Sequence, residues 1–194
     1  MHLAFDIFQG IGIAAALGIR PFLPSLAVGA LAAGDVEIHF KHTSYHFLQG
    51  VPFLIIVVVL AVALAALEAR RSLDDGPLAI VLGVVSVVLG ALFFAGSLAR
   101  GGYSVAPGII GGVVCAGVAI AAARPFLARL RGRLDAESAG VGVPLIAEGS
   151  ALLTAILSVV APPLGVIALL ALLWLLWQGR GREEQKYAGL RILR

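Results

Sequence analysis

Charge is scarce in this chain. Only 13% of its 194 residues are Asp, Glu, Lys or Arg, while 60% are hydrophobic, and the mean hydropathy is +1.04. A water-soluble domain carries about a quarter charged residues, so too little polar surface is present here to cover a soluble fold. The expected class is an integral membrane protein. Cysteine is scarcer still. Cys115 stands alone inside an apolar run, which excludes an intrachain disulfide and suits a small packing residue. No phosphate loop, zinc motif or nucleophile–base signature occurs, so an intramembrane enzyme ranks last among the functional readings and no cofactor is expected. The net charge of +3 is small, and the basic residues lie in the polar connections, which argues against nucleic acid as a partner. The opening "MHLAFDIFQG" has no basic leader and contains Asp6, unlike a cleaved signal peptide.

What is abundant is apolar sequence, in six runs. They are roughly Ile7–Ala33, Val51–Leu67, Pro77–Ala99, Gly108–Ala123 (extending toward Leu130), Val143–Ala161 and Leu164–Trp177. Run one would make a helix of about 40 Å, longer than the roughly 30 Å hydrocarbon core, so a break or tilt is expected. Pro162 and Pro163 separate the last two runs, and Trp174 and Trp177 suit an interfacial anchor. Pro107 in "RGGYSVAPG" suits the first turn of a helix. Gly108, Gly111, Gly112 and Gly117 suit close helix packing.

Arginine placement orients these runs. Arg70 and Arg71 follow run two. Arg129, Arg131 and Arg133 follow run four, and Arg180, Arg182, Lys186, Arg191 and Arg194 fill the tail. The remaining connections carry Lys41, Arg100 or no basic residue. Rich and poor connections alternate, as six crossings require. The positive-inside rule then puts the basic linkers and both termini of this multi-pass chain in the cytoplasm.

"RPFL" occurs twice, at Arg20–Leu23 and Arg124–Leu127, each with a later "GVP", at Gly50 and Gly142. The repeated order suggests an internal duplication. With three crossings per half the second half would be inverted, the plan of many secondary transporters. The expected architecture is therefore an all-α membrane protein of about six transmembrane segments in two inverted three-helix repeats, residues 1–100 and 101–179. A polar tail covers 180–194, and the first and fourth segments break at their Arg-Pro.

The physics concentrates at "GIRPFLPSL". Pro21 and Pro24 remove two backbone donors, and the freed carbonyls near positions 17 and 20 need partners that lipid does not supply. The break opens a new helix N-terminus near Phe22, which favours anions. Arg20 adds a fixed charge, at a cost of about 2.5–3.5 kcal/mol on a translocon scale. The available intramembrane carboxylate is Glu148, four residues after Pro144; Asp6 and Glu68 lie nearer the ends. Arg20, Pro21, Pro24, Arg124 and Glu148 are thus the candidate substrate-binding residues. Arg20 with Glu148 reads either as such a site or as a structural ion pair, and Arg124 reads also as a snorkelling end charge. His39, His42 and His46 are spaced as metal ligands on a helix would be, but an outer-loop cluster of solvated or interfacial histidines is the stronger reading.

"GIRPFLPSLAVGALA", the Arg-Pro of run four and "PLIAEGSALLTAILSVVAPPLGVIALLALLWLLW" together resemble an uncharacterised bacterial membrane family, the domain of unknown function four-one-two-six. Its first segment typically reads Gly-Leu-Arg-x-Tyr-Leu-Pro, which falls here on Gly18, Ile19, Arg20, Phe22, Leu23 and Pro24. Members carry an arginine like Arg124 and an acidic residue like Glu148; Pro21 and Pro125 depart from the pattern, standing where members often have alanine. The resemblance implies a helical membrane domain and no established activity.

Two functional readings follow. One is a transporter, channel or lipid-handling protein for an anionic solute or headgroup, in contact with membrane lipids and with a homodimer as one arrangement. The other is an accessory or scaffold subunit of a membrane complex, in which the same charges fix helix packing.

Overall fold

The computed structural model describes residues 2–68 and 76–190, with the side chains of 2, 68, 136–138 and 180–190 left undescribed. Arg70, Arg71, Arg191 and Arg194 lie outside the described residues, as do the side chains of Arg180, Arg182 and Lys186. Seven α-helices follow one another: α1 (His2–Ile19), α2 (Phe22–Ala33), α3 (Val51–Glu68), α4 (Pro77–Arg100), α5 (Ala106–Arg131), α6 (Ala136–Val160) and α7 (Pro163–Leu190). A 3₁₀ turn, His46–Gln49, precedes α3, and no strand occurs among the described residues.

The first apolar run does break at Arg20-Pro21, but the break is a reversal. Gln9 Nε2 donates to the Glu37 carbonyl at 3.4 Å. Were α2 to continue in the direction of α1, helical rise alone would separate these residues by about 30 Å. α1 and α2 are therefore the arms of a hairpin with Arg20 at its tip. Pro21 caps α2 and Pro24 sits in its first turn, where a helix makes no intrahelical N–H bond, so neither ring costs a bond there. Ser25 Oγ donates back to the Phe22 carbonyl at 2.8 Å.

The remaining helices alternate in direction. Asp6, near the start of α1, meets Arg100 at the end of α4. At the other end, Gly18 and Arg20 share a cleft with Ala79 of early α4 and Arg124 of late α5. Gly165, opening α7, lies against Gly12 of α1, while Gly179 lies beside Arg129 of late α5. The bundle thus has an Asp6 end and an Arg20 end. α1 starts at the first and α7 finishes at the second. The hairpin gives seven helices where six apolar runs were expected, α2 being a short one of 12 residues. Among the described residues the Arg129–Arg133 linker lies at the Arg20 end, with Lys41 and Arg100 at the other.

The expected break in the fourth segment is not found. α5 runs through Pro125 to Arg131. A single proline removes one hydrogen bond and is absorbed, whereas the first copy has two prolines three residues apart after a glycine. The two GVP markers also fall in unlike places, one opening α3 and one inside α6. Like sequence here does not mark like structure.

α1 is the centre. Ile13–Leu17 are fully buried, and the helix packs against α4, α5, α6 and α7. A helix apolar on every face must be enclosed in this way. Close packing relies on missing side chains. A Cβ on Gly12 would stand 2.4 Å from the Gly165 Cα, and one on Gly112 would stand 2.5 Å from the Gly90 carbonyl oxygen. Gly108 and Gly111 pack similarly, but Gly117 faces open space. Cys115 is buried beside Ala14, Phe94 and Leu98. α2 and α3 form an outer pair laid on α6. The stretch between them turns inward: Ile38, Phe40 and Leu48 are fully buried, and Phe40 meets Phe93 edge-on at 6.0 Å.

Three helices, α4, α5 and Ala139–Val160 of α6, are long and apolar enough to cross a membrane; Leu3–Ile19, Phe22–Ala33, Val51–Leu67 and Pro163–Gly179 are shorter apolar helices. The outward surface is apolar as well, with Val51, Ile80, Ile110, Leu145 and Trp177 all strongly exposed. Such a surface fits a membrane protein.

Candidate functional site

Arg20 is held at the hairpin tip by a bond from its own N–H to the Ala16 carbonyl, 3.1 Å, which finishes α1. Its side chain is 7% exposed and lies against Glu148 of α6, 22% exposed, with Nε and Oε1 3.7 Å apart. Sequence reasoning brought these two together, and the fold does so. Pro21 and Pro24 are buried beneath them.

A cavity lies on each side of the pair. Glu148 ends a cleft of about 490 Å³ between α2, α3 and α6, whose walls include Phe22, Leu23, Ala65, Val141 and Pro144. Gly140, Pro144 and Glu148 follow at four-residue intervals on one face of α6, and Pro144 leaves the residue-140 carbonyl without its helical donor. Arg20 instead lines a cleft of about 40 Å³ with Ala79, Ser86 and Arg124. Arg124 is exposed, and its Nη2 donates to the Ala79 carbonyl at the start of α4. The approach needs Gly83, where a Cβ would lie 2.7 Å from that nitrogen. Four of the five candidate residues thus gather around the hairpin tip from α1, α2 and α5, and Glu148 completes the group from α6. A third cleft of about 250 Å³, between α5, α6 and α7, carries Ser150 and Thr154.

The histidines do not gather. His39, His42 and His46 are exposed, the first two in irregular chain and the third opening the 3₁₀ turn. Among the described residues no three His, Cys, Asp or Glu side chains form a metal-ligand group. The helix that would have aligned them is absent because Phe40, between them, is drawn into the core.

A second polar cluster escaped the sequence reading. Asp6, 2% exposed, pairs with Arg100. Arg100 Nη1 donates to the Glu37 carbonyl at 2.7 Å and Ser97 Oγ to the Asp6 carbonyl at 2.7 Å. Gln9 Nε2 also donates to the Val159 carbonyl at 3.3 Å. Asp6 and Gln9 stand three apart on one face of α1, the signal that could have announced them.

The matched region decides the family: a family model matches residues 7–180. The chain belongs to the family Domain of unknown function (DUF4126). No curated protein and no solved structure matches. The DUF4126 match covers the hairpin tip and the candidate residues Arg20, Pro21, Pro24, Arg124 and Glu148.

Proposed function

We propose that this DUF4126 protein binds an anionic solute or lipid headgroup within the membrane at Arg20, in the service of transport or lipid handling, and carries no catalytic chemistry. The observation behind this reading is the position of the Arg20–Glu148 pair between two clefts, Arg20 among the lining residues of one and Glu148 among those of the other. An intramembrane arginine is costly and needs a counter-charge. Glu148 supplies a resident one, which an incoming anion replaces or joins. On the positive-inside rule the Arg20 end faces the cytoplasm of a bacterial inner membrane, with the start of α1 outside.

The test is flux of anions and of labelled anionic lipid in proteoliposomes containing the parent, Arg20→Ala or Glu148→Gln. The reading requires flux in the parent and a change in at least one variant that keeps its helical content and elution volume. Absence of flux for every probe, or equal flux in all three proteins, refutes it.

A second reading has an observation of its own. Among the helices, α3 rests chiefly on α2, and leaves Val51, Ile55, Ile56, Val59 and Val62 exposed. An accessory subunit would dock a partner helix there. Stoichiometric co-purification of a membrane protein, lost on Val59→Lys, would favour that role.

A further inference from the structure

We infer that the ligand at Arg20 is a small monovalent inorganic anion of chloride size, which enters past Arg124 through the cleft between the hairpin tip, α4 and α5. The inference rests on the reading of Arg20 as the binding charge and narrows it to one class of anion and one route.

Three observations carry it. The first is the sign of the cleft. Among the described residues its charged lining is Arg20 at the inner wall and Arg124 at the rim, with no carboxylate. Glu148 approaches Arg20 from the other side, facing the α2–α3–α6 cleft. Two arginines bordering one low-dielectric space bias its potential positive, which favours an anion. The buried Ser86 hydroxyl adds a donor at the wall.

The second is size. At about 40 Å³ it is far smaller than the α2–α3–α6 cleft of about 490 Å³, and so suits a small inorganic ion better than a phosphorylated headgroup with its ester linkage.

The third is the chemistry of the remaining wall. Ile19, Leu82, Ile120, Ala123 and Leu127 offer no hydrogen bonds from their side chains. Stripping water from an ion costs steeply more as its charge rises, so such a wall admits a monovalent anion far more readily than a divalent phosphate. The approach is favourable too: Arg129, Arg131 and Arg133 lie at the same end of the bundle and draw anions toward the rim.

The full-length protein in proteoliposomes provides the test, with chloride efflux and inorganic phosphate efflux measured side by side. Chloride efflux is expected in the parent and phosphate efflux is not. Loss of a hydrogen-bonded charge corresponds to a fall of about ten- to a hundredfold, expected for Arg20→Gln. Arg124→Gln at the exposed rim, which spares the interior, is expected to lower chloride efflux by about two- to fivefold, as loss of a partly screened charge does. Arg20→Lys, which keeps the charge, is expected to recover part of the rate. If phosphate or labelled lipid moves while chloride does not, Arg20 remains the binding charge and the small-anion assignment fails. If chloride moves equally in the parent and Arg124→Gln, the route past Arg124 fails. If no probe moves, the reading of Arg20 as a binding charge fails with it.

Discussion

The two ends of the bundle each bury an arginine against a carboxylate, and they do it differently. At the Asp6 end the pair is tied into a network: Arg100 also holds the Glu37 carbonyl, Ser97 holds the Asp6 carbonyl, and Gln9 donates to the Glu37 and Val159 carbonyls. At the Arg20 end the pair stands between two cavities. The same chemical couple is clasped by further hydrogen bonds in one place and bordered by cavities in the other. What separates them is the packing around them. The Asp6 end draws its polar partners from α1, α4, α6 and the stretch after α2. At the Arg20 end a reversal of the chain leaves space between α2, α3 and α6.

This contrast predicts unequal costs. Removing one member of an enclosed pair leaves an uncompensated buried charge, worth about 3–5 kcal/mol. Asp6→Ala is therefore expected to lower thermal stability by an amount in that range. Glu148→Ala is expected to cost about 1–2 kcal/mol, because the neighbouring clefts have room for water to solvate Arg20. Melting of the detergent-solubilised variants measures both. Equal losses would mean that the Arg20 pair is as closed as the Asp6 pair, and the comparison would collapse.

A finer test uses two glycines that make room for the two sites. A Cβ on Gly101 would stand 2.6 Å from Asp6 Oδ2 and 2.5 Å from the Tyr103 ring. A Cβ on Gly83 would stand 2.7 Å from Arg124 Nη2 and meets only that flexible side chain within close range. Gly101→Ala should therefore destabilise, by about 1–3 kcal/mol as overpacking does, without changing chloride efflux. Gly83→Ala should cost less than about 1 kcal/mol, since alanine also favours the helix, yet shift Arg124 and slow efflux. Reversed outcomes would exchange the roles of the two ends.

Much of the Arg20 end was legible from the sequence because its signals are local. Arginine and two prolines in an apolar run force a break wherever they occur, and Glu148 was the available intramembrane carboxylate for the charge. The direction of the chain after the break was not legible. A kink and a reversal use the same residues, and only the packing of Val28 and Ala32 into the core with Ile13 and Leu17 selects the reversal. From that follows a seventh helix where the sequence has six apolar runs. The second Arg-Pro misled for the converse reason. One proline late in α5 is a defect that surrounding helices absorb, and no property of the tetrapeptide itself distinguishes the cases. The Asp6 cluster was hidden because Asp6, Gln9, Ser97 and Arg100 come from distant positions and look, singly, like end polarity.

The smallest expected effect concerns a surface pair at the Asp6 end, and it asks whether that end is functionally silent. Asp35 and Lys41 form an exposed ion pair in the stretch between α2 and α3. The hydrogen bond from Lys41 lowers the Asp35 pKa below the usual carboxylate value; slight desolvation opposes it, and the charges of Lys41 and His39 add to it. A depressed folded-state pKa contributes stability above the unfolded value and loses it as pH falls through the folded one. Full exposure keeps that contribution slight. In an NMR titration, Lys41→Ala should return Asp35 toward the ordinary carboxylate value. Melting temperature near neutral pH should hardly move, and chloride efflux should not move at all. A change in efflux would connect this loop to the route through the bundle, and the Asp6 end could no longer be read as a clasp alone.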